Sequence, residues 1–262
     1  MTTTRHDKAL QFRALHERPG AFVIPNPWDA GSARALAGMG FEALATSSGA
    51  SAAVLGKRDG QVTLEEALAH LRAVVGATEL PVAADLEKGF ADAPADVARN
   101  IMLAAQTGIV GGSIEDATGD DTNPLFDIGF AAERVAAAAE AARALPFPFT
   151  LTARTENHLR GRNDLDDTIA RLQAFERAGA DVLFAPGLPS LEAVRAVCQA
   201  VKKPVNFMAG IPGKSFSVAE LQAAGVKRIS LATSLYRVAM TAMREAAHEV
   251  KEQGTFTYLN RL

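Results

Sequence analysis

In this 262-residue chain the residues best suited to chemistry are carboxylates that end short apolar runs. The run PVAAD ends in Asp85, and Glu87 follows two residues on. IVGGSIE ends in Glu115, and Asp59 lies in the segment GKRDG. Arg154 closes PFTLTAR, and Asn206 sits inside PVNFMA. Acids gathered side by side repel one another, which costs stability unless a cation or an arginine lies among them. Oxygen donors with no His or Cys nearby suit a hard ion that keeps part of its water. Asp85, Glu87 and Glu115 are therefore candidate ligands for Mg2+ or Mn2+. Arg154 has two readings: a two-pronged grip on a substrate carboxylate, or a salt bridge to Glu156 or Glu115. Asp59 also has two: a group that handles a proton or water, or a loop acid paired with Arg58. The stretch TSSGAS adds small residues and a flexible glycine whose backbone N–H groups can face an anionic oxygen.

These residues need elements to hold them together. Eight short apolar runs begin at Ala21, Phe41, Pro81, Ile109, Pro148, Asp181, Pro204 and Lys227. Continuous runs bounded by Gly or Pro suit strands buried on both faces. Amphipathic stretches separate them: Asp29–Met39, a segment opened by the capping box Thr63–Glu66, Ala93–Thr107, Ala131–Leu145, Leu165–Ala178, Leu191–Val201 and Val218–Ala224. Strands alternating with helices predict an α/β fold, and eight such units predict a (β/α)8 TIM barrel spanning 1–262 as one domain. An open doubly wound sheet would carry a Gly-rich phosphate loop after its first strand, and AFVIPNPWDAG has none. Two further helices are expected, His6–Glu17 before the first strand and a long one over Thr233–Gln253. In such a barrel the active site lies at the C-terminal ends of the strands, so Asp59, Asp85, Glu87 and Glu115 would share one mouth.

Composition narrows the classes. Hydrophobic residues make up 48% and charged residues 22%, which excludes a disordered chain. The net charge of −3 gives no electrostatic reason to expect nucleic acid or an anionic membrane. The single cysteine, Cys198, falls on the apolar face of a predicted helix and reads as packing. The start, MTTTRHDKAL, has no apolar leader, and no run approaches membrane-spanning length, so a cytoplasmic protein is expected.

Taken in order, IPNPWDAGSARALAGMGFEAL, TSSGAS with LGKRDG, LPVAADLEKGF, GSIEDA and TLTARTE resemble the isocitrate lyase / phosphoenolpyruvate mutase superfamily from about Phe22 to Arg237. The resemblance implies a barrel that binds Mg2+ and a 2-oxo acid or its enolate. It implies that Asp85 meets the metal directly, while Glu87 and Glu115 hold it mostly through waters. Glu87 stands where many members have Asp. Ser48, Gly49 and Ala50 match the segment that holds the substrate's carboxylate and oxo oxygen. Asp59 matches an acid near the reacting carbon, and Arg154 the arginine that grips substrate. TNPL resembles a gating loop, which makes Asn123 a catalytic gate residue and the segment 119–128 a lid. Asn206 is expected to bind substrate. Members commonly form homo-oligomers, dimers or tetramers, in which the last helices swap.

The departures bear on the reaction. The lyase branch has a Lys-(Lys/Arg)-Cys-Gly-His loop after the fourth strand, where this chain reads EDATGDDTNPLFDIG. The sixth run ends in APG, without the polar residue other branches place there. A phosphoryl group wants cations, and this loop supplies acids. The reading that follows is C–C bond cleavage or formation next to an enolate carbon. The alternatives are phosphonopyruvate-type P–C chemistry and a non-catalytic 2-oxo acid binder. A Schiff-base aldolase at Lys88 and a sugar-phosphate site at AGIPGKS are weaker rivals. Trp28 and His158 are further candidates for the pocket wall.

Overall fold

The structure, a computed structural model, describes residues 3–261. Each of the eight runs forms a parallel strand: β1 (Phe22–Ile24), β2 (Leu44–Ala45), β3 (Val82–Asp85), β4 (Gly111–Glu115), β5 (Thr150–Arg154), β6 (Val182–Phe184), β7 (Val205–Met208) and β8 (Arg228–Ser230). Their order is β1-β8-β7-β6-β5-β4-β3-β2. The seam between β1 and β2 is bridged by the Ala45 N–H donating to the Pro25 carbonyl at 3.1 Å and by Asn26 Nδ2 donating to the Thr46 carbonyl at 3.0 Å. The result is the expected (β/α)8 barrel.

Helices fill the spaces between strands: α1 (Arg5–Glu17), α2 (Ala30–Gly38), α3 (Ser48–Val54), α4 (Leu64–Val75), α5 (Pro94–Ala105), α6 (Ile128–Arg143), α7 (Leu165–Ala178), α8 (Leu191–Ala200), α9 (Val218–Ala223) and α10 (Ser234–Gln253). Asp29 caps α2 by accepting from the Ser32 N–H, and Thr63 with Glu66 closes the capping box of α4. The exception is TSSGAS. It is no flexible loop: Ser47 is the N-cap of α3, an Ala-rich helix too short to show a periodicity in sequence.

The floor of the barrel is closed by α1. Phe12 on α1 is fully buried, and a Cβ on Gly111 would stand 2.9 Å from its ring and 2.8 Å from the Thr150 carbonyl. Only glycine fits at that point of β4. At the other end of the chain, α10 buries none of its side chains, and Val238 is 67% exposed.

Candidate active site at the barrel mouth

The C-terminal strand ends gather the expected groups. Asp85 ends β3 and pairs in register with Ser113 of β4; Glu115 ends β4 and pairs with Arg154 of β5. Asp85 is held from three sides. The Ser48 N–H and hydroxyl both donate to its Oδ2 at 3.1 and 3.0 Å, and the Glu87 N–H donates to Oδ1 at 3.2 Å. Ser48 thus starts α3 with its backbone aimed at the carboxylate. Gly49 follows, where a Cβ would lie 3.2 Å from Asp59 Oδ2 and 3.2 Å from Thr233 Cγ2. That close approach is what a glycine allows here. These residues line one cavity of about 480 Å3, together with Arg154, Asn206 and Tyr236.

Arg154 takes the place among the acids. Its Nε donates to Glu156 Oε1 at 2.5 Å and lies 3.4 Å from Glu115 Oε2, while Nη1 stands 3.8 Å from Asp85 Oδ2. Its ring of partners settles one sequence ambiguity: the salt bridge exists, and the side chain still faces the cavity. Burial pushes its guanidinium pKa down, but Glu156, Glu115 and Asp85 outweigh that and hold it above the usual range. One arginine does not neutralise the set. Burial, with Asp85 and Asp59 nearby, pushes Glu87 up to about 7. Burial also raises Glu115, with Arg154 opposing and Glu156 and Asp85 reinforcing. Asp59 is raised by burial of its carboxyl and by Asp85, although the residue as a whole sits exposed on the rim. No ion pair joins Asp59 to Arg58 among the described residues.

These carboxylates fit a hard cation in a particular way. Among the described residues no three acidic, His or Cys side chains converge as a direct ligand set. Asp85 and Asp59 line the cavity, while Glu87 and Glu115 lie outside the lining. An oxygen-only set of this kind suits a hard ion that keeps several waters. Burial is the first cause of the raised pKa values and the neighbouring carboxylates the second, so a cation bound among these acids would favour their ionised forms.

Several expected residues lie elsewhere. Asn123 is exposed and outside the cavity lining. Its loop is folded outward on itself: Thr118 Oγ1 donates to the Asn123 carbonyl at 2.5 Å, and Asp120 Oδ1 accepts from the Thr122 N–H at 2.8 Å. Asn206 lines the cavity, but both ends of its amide are occupied. Oδ1 accepts from Arg228 Nε at 2.9 Å and Nδ2 donates to Ser230 Oγ at 3.0 Å. His158 turns away, toward Asn163 and Thr168. Trp28 does not line the cavity. It packs edge-on against Tyr236, which does. Lys88 points outward to Asp92 and the Thr118 carbonyl. Cys198 is partly buried beside the main core, as a packing residue would be.

Sequence reasoning missed three groups. Arg160 reaches back to Glu156 at 3.4 Å and Glu115 at 3.8 Å. Arg228, on the barrel floor, has no counterpart in the motif reading. Arg134 of α6, only 1% exposed, donates to the carbonyls of Ala91 (2.9 Å), Asp92 (3.0 Å) and Glu115 (3.0 Å), and to that of Lys88. It also stacks on Phe126 at 4.5 Å. This clamp holds the turn in which Glu87 adopts φ 50°, a left-handed conformation uncommon outside glycine. An arginine inside an Ala-rich helix is the only sequence trace of it.

Fold and site together define a (β/α)8 barrel with an arginine-bridged acidic mouth. A family model described as phosphoenolpyruvate phosphomutase matches residues 12–251, and the chain belongs to that family, within the PEP mutase/isocitrate lyase superfamily. It is 30% identical to the oxaloacetate decarboxylase of Paraburkholderia xenovorans (strain LB400) over 248 residues, covering 92% of this chain and 81% of the relative. A solved structure from Burkholderia cenocepacia J2315, named only as a candidate lyase/mutase, shares 55% identity at TM-score 0.96, covering 98% of this chain and 92% of that one. The structure of 2,3-dimethylmalate lyase shares 30% identity at TM-score 0.86, covering 95% and 89%.

Proposed function

We propose that the protein is a Mg2+-dependent lyase acting on a 2-oxo acid, breaking or forming the C–C bond next to the enolate carbon. The observation that carries this reading is the carboxylate cluster of Asp85, Glu87 and Glu115 beside the Ser48–Gly49 start of α3. A bound divalent cation supplies the Lewis acidity that draws negative charge onto the 2-oxo oxygen. The chain's own groups do the rest. Asp85 would hold the ion directly, and Glu87 and Glu115 would hold it through its waters. The Gly49 backbone and the Ser48 hydroxyl face the oxo and carboxylate oxygens, while Ala50, expected beside them, is fully buried outside the cavity lining with its N–H directed to Ser47 Oγ at 3.5 Å. Arg154, already poised over the acids, presents its Nη face to the substrate carboxylate. Asp59, with its raised pKa and rim position, takes or returns the proton. Asn123 reaches the substrate only when the loop around it folds inward.

The C–C assignment draws on two features. The loop after β4 carries Asp120 and Asp121 and no cation to meet a phosphoryl group, and relatives are named as an oxaloacetate decarboxylase and a 2,3-dimethylmalate lyase. No helix among the described residues is long and apolar enough to cross a membrane. The exposed apolar side chains of α10, Val238 and Met243, support packing against a second copy of the chain in a homo-oligomer.

The test is Mg2+-dependent pyruvate release from oxaloacetate, phosphonopyruvate and methylisocitrate, offered separately. Release from oxaloacetate or methylisocitrate, lost by 100-fold or more in Asp85→Ala, is the expected result. Release from phosphonopyruvate alone would replace C–C with P–C cleavage, and a phosphorus assay would reveal a mutase. Binding of a 2-oxo acid without turnover would mark a binding protein.

A further inference from the structure

The interior of a (β/α)8 barrel is ordinarily filled by layers of branched apolar side chains. Alternate residues of a strand face the same side, so the layer under the acidic rim is readable from the rim residues. Two positions below Asp85 is Ala83, two below Glu115 is Ser113, and two below Arg154 is Thr152. Across the barrel Asn206 and Arg228 are register partners on β7 and β8. This layer is small and polar, and the cavity continues down into it, reaching Ser113, Thr152 and Arg228.

Arg228 is the unusual member. It is 6% exposed and has no carboxylate within salt-bridge distance among the described residues. Its contacts are all neutral: Nε to Asn206 Oδ1 at 2.9 Å, Nη2 to Thr152 Oγ1 at 3.0 Å, and Nη1 to His16 Nε2 at 3.4 Å. His16 does not share the charge, since burial and Arg228 itself push it down to about 3. Burial lowers Arg228 only to about 9, so it stays cationic at neutral pH. Three contacts use three of its five N–H donors. Ser113, the register partner of Thr152 in the same layer, makes no side-chain hydrogen bond among the described residues and is partly open to the cavity. A buried cation without a counter-ion is costly to maintain, and a cavity that leads to it offers a place for one.

We propose that the lower half of the cavity is an anion subsite. In it Arg228, with Thr152 and Ser113, receives a carboxylate at the far end of a two-headed substrate. The inference rests on the reading of the mouth as a 2-oxo acid site and narrows its substrate class to 2-oxo acids with a second anionic group. The near end occupies the rim between Ser48, Asp85 and Arg154. The far end descends past Ala83 and Ser113, and Arg228 selects for it.

The experiment compares pyruvate, a monoanion, with oxaloacetate, a dianion, by titration calorimetry in the presence of Mg2+. The wild-type protein, Arg228→Met and Arg228→Lys are compared. Wild-type is expected to bind oxaloacetate at least ten-fold more tightly than pyruvate. Arg228→Met should lose at least ten-fold more affinity for oxaloacetate than for pyruvate, and Arg228→Lys should fall between. Equal losses for both ligands, or an unchanged preference in a folded Arg228→Met protein, overturn the subsite. If Arg228→Met does not fold, Thr152→Val and Ser113→Ala carry the test, with an expected three-fold loss confined to the dianion; no selective loss overturns it. Malonate without Mg2+ separates this proposal from the functional one. If no 2-oxo acid binds wild-type, yet malonate raises its melting temperature and fails to do so in the Arg228 or Thr152 variant, the subsite stands and the lyase reading falls. If malonate has no effect either, both fall.

Discussion

At the mouth of this barrel, two buried carboxyls, Glu87 and Glu115, hold their protons more tightly than free acids do. Glu87 is pushed up to about 7 by burial and by Asp85 and Asp59. A carboxyl raised in the folded state holds its proton more tightly there than in the unfolded chain. Its contribution therefore favours the fold at low pH and is lost as pH rises from about 4.5 to about 7. Glu115 shifts in the same direction. The metal-free protein should show a falling melting temperature across that window, smaller in Glu87→Gln, and saturating Mg2+ should flatten it. A melting curve series at several pH values, with and without the ion, checks this. A slope insensitive to both Mg2+ and the substitution would remove Glu87 from the metal site.

At the scale of elements, two contacts decide whether correct residues become a site. The start of α3 lies so close to the rim that a methyl on Gly49 would meet Asp59 Oδ2 and Thr233 Cγ2, both at 3.2 Å. Gly49→Ala should shift Asp59 by a few tenths of an ångström. The melting temperature should barely change, while kcat/KM falls about ten-fold or more, because small displacements of reacting groups are expensive. Steady-state kinetics beside calorimetry separates the two effects. Arg134 does the corresponding work for the turn after β3, binding four main-chain carbonyls. Arg134→Met strands those acceptors in the interior and should destabilise by about 3 kcal/mol or more. It should also weaken Mn2+ binding ten-fold, read by electron paramagnetic resonance. Arg134→Lys cannot reproduce the planar fork and should recover little of either.

For the whole molecule, the two ends of the chain have opposite fates. Phe12, His16 and the rest of the buried face of α1 plug the floor, beneath the polar layer that Arg228 dominates. By contrast α10 leaves Val238 and Met243 67% and 54% exposed. Exposed apolar side chains on a helix that buries no residue against its own barrel offer a surface for association. The chain is expected to sediment as a dimer or tetramer, and Val238→Asp combined with Met243→Asp should shift it to smaller species. A wild-type monomer in analytical ultracentrifugation would refute the association.

Much of this was legible in sequence because it is local. The eight strands are continuous apolar runs, and the caps at Asp29 and Thr63 are fixed by hydrogen bonds three residues apart. Asp85 and Glu115 follow from those strands, since a barrel places strand ends at one mouth. Tertiary structure decided the rest, because side-chain direction and burial depend on partners far along the chain. It turned TSSGAS into a helix start and directed Arg154 into three carboxylates. It left Asn123 outside and tied Asn206 to Arg228. Arg134 and Arg228 look in sequence like ordinary surface arginines. They became a clamp and a buried cation only because residues 19 to 212 positions away close around them, and no spacing rule carries information over such distances.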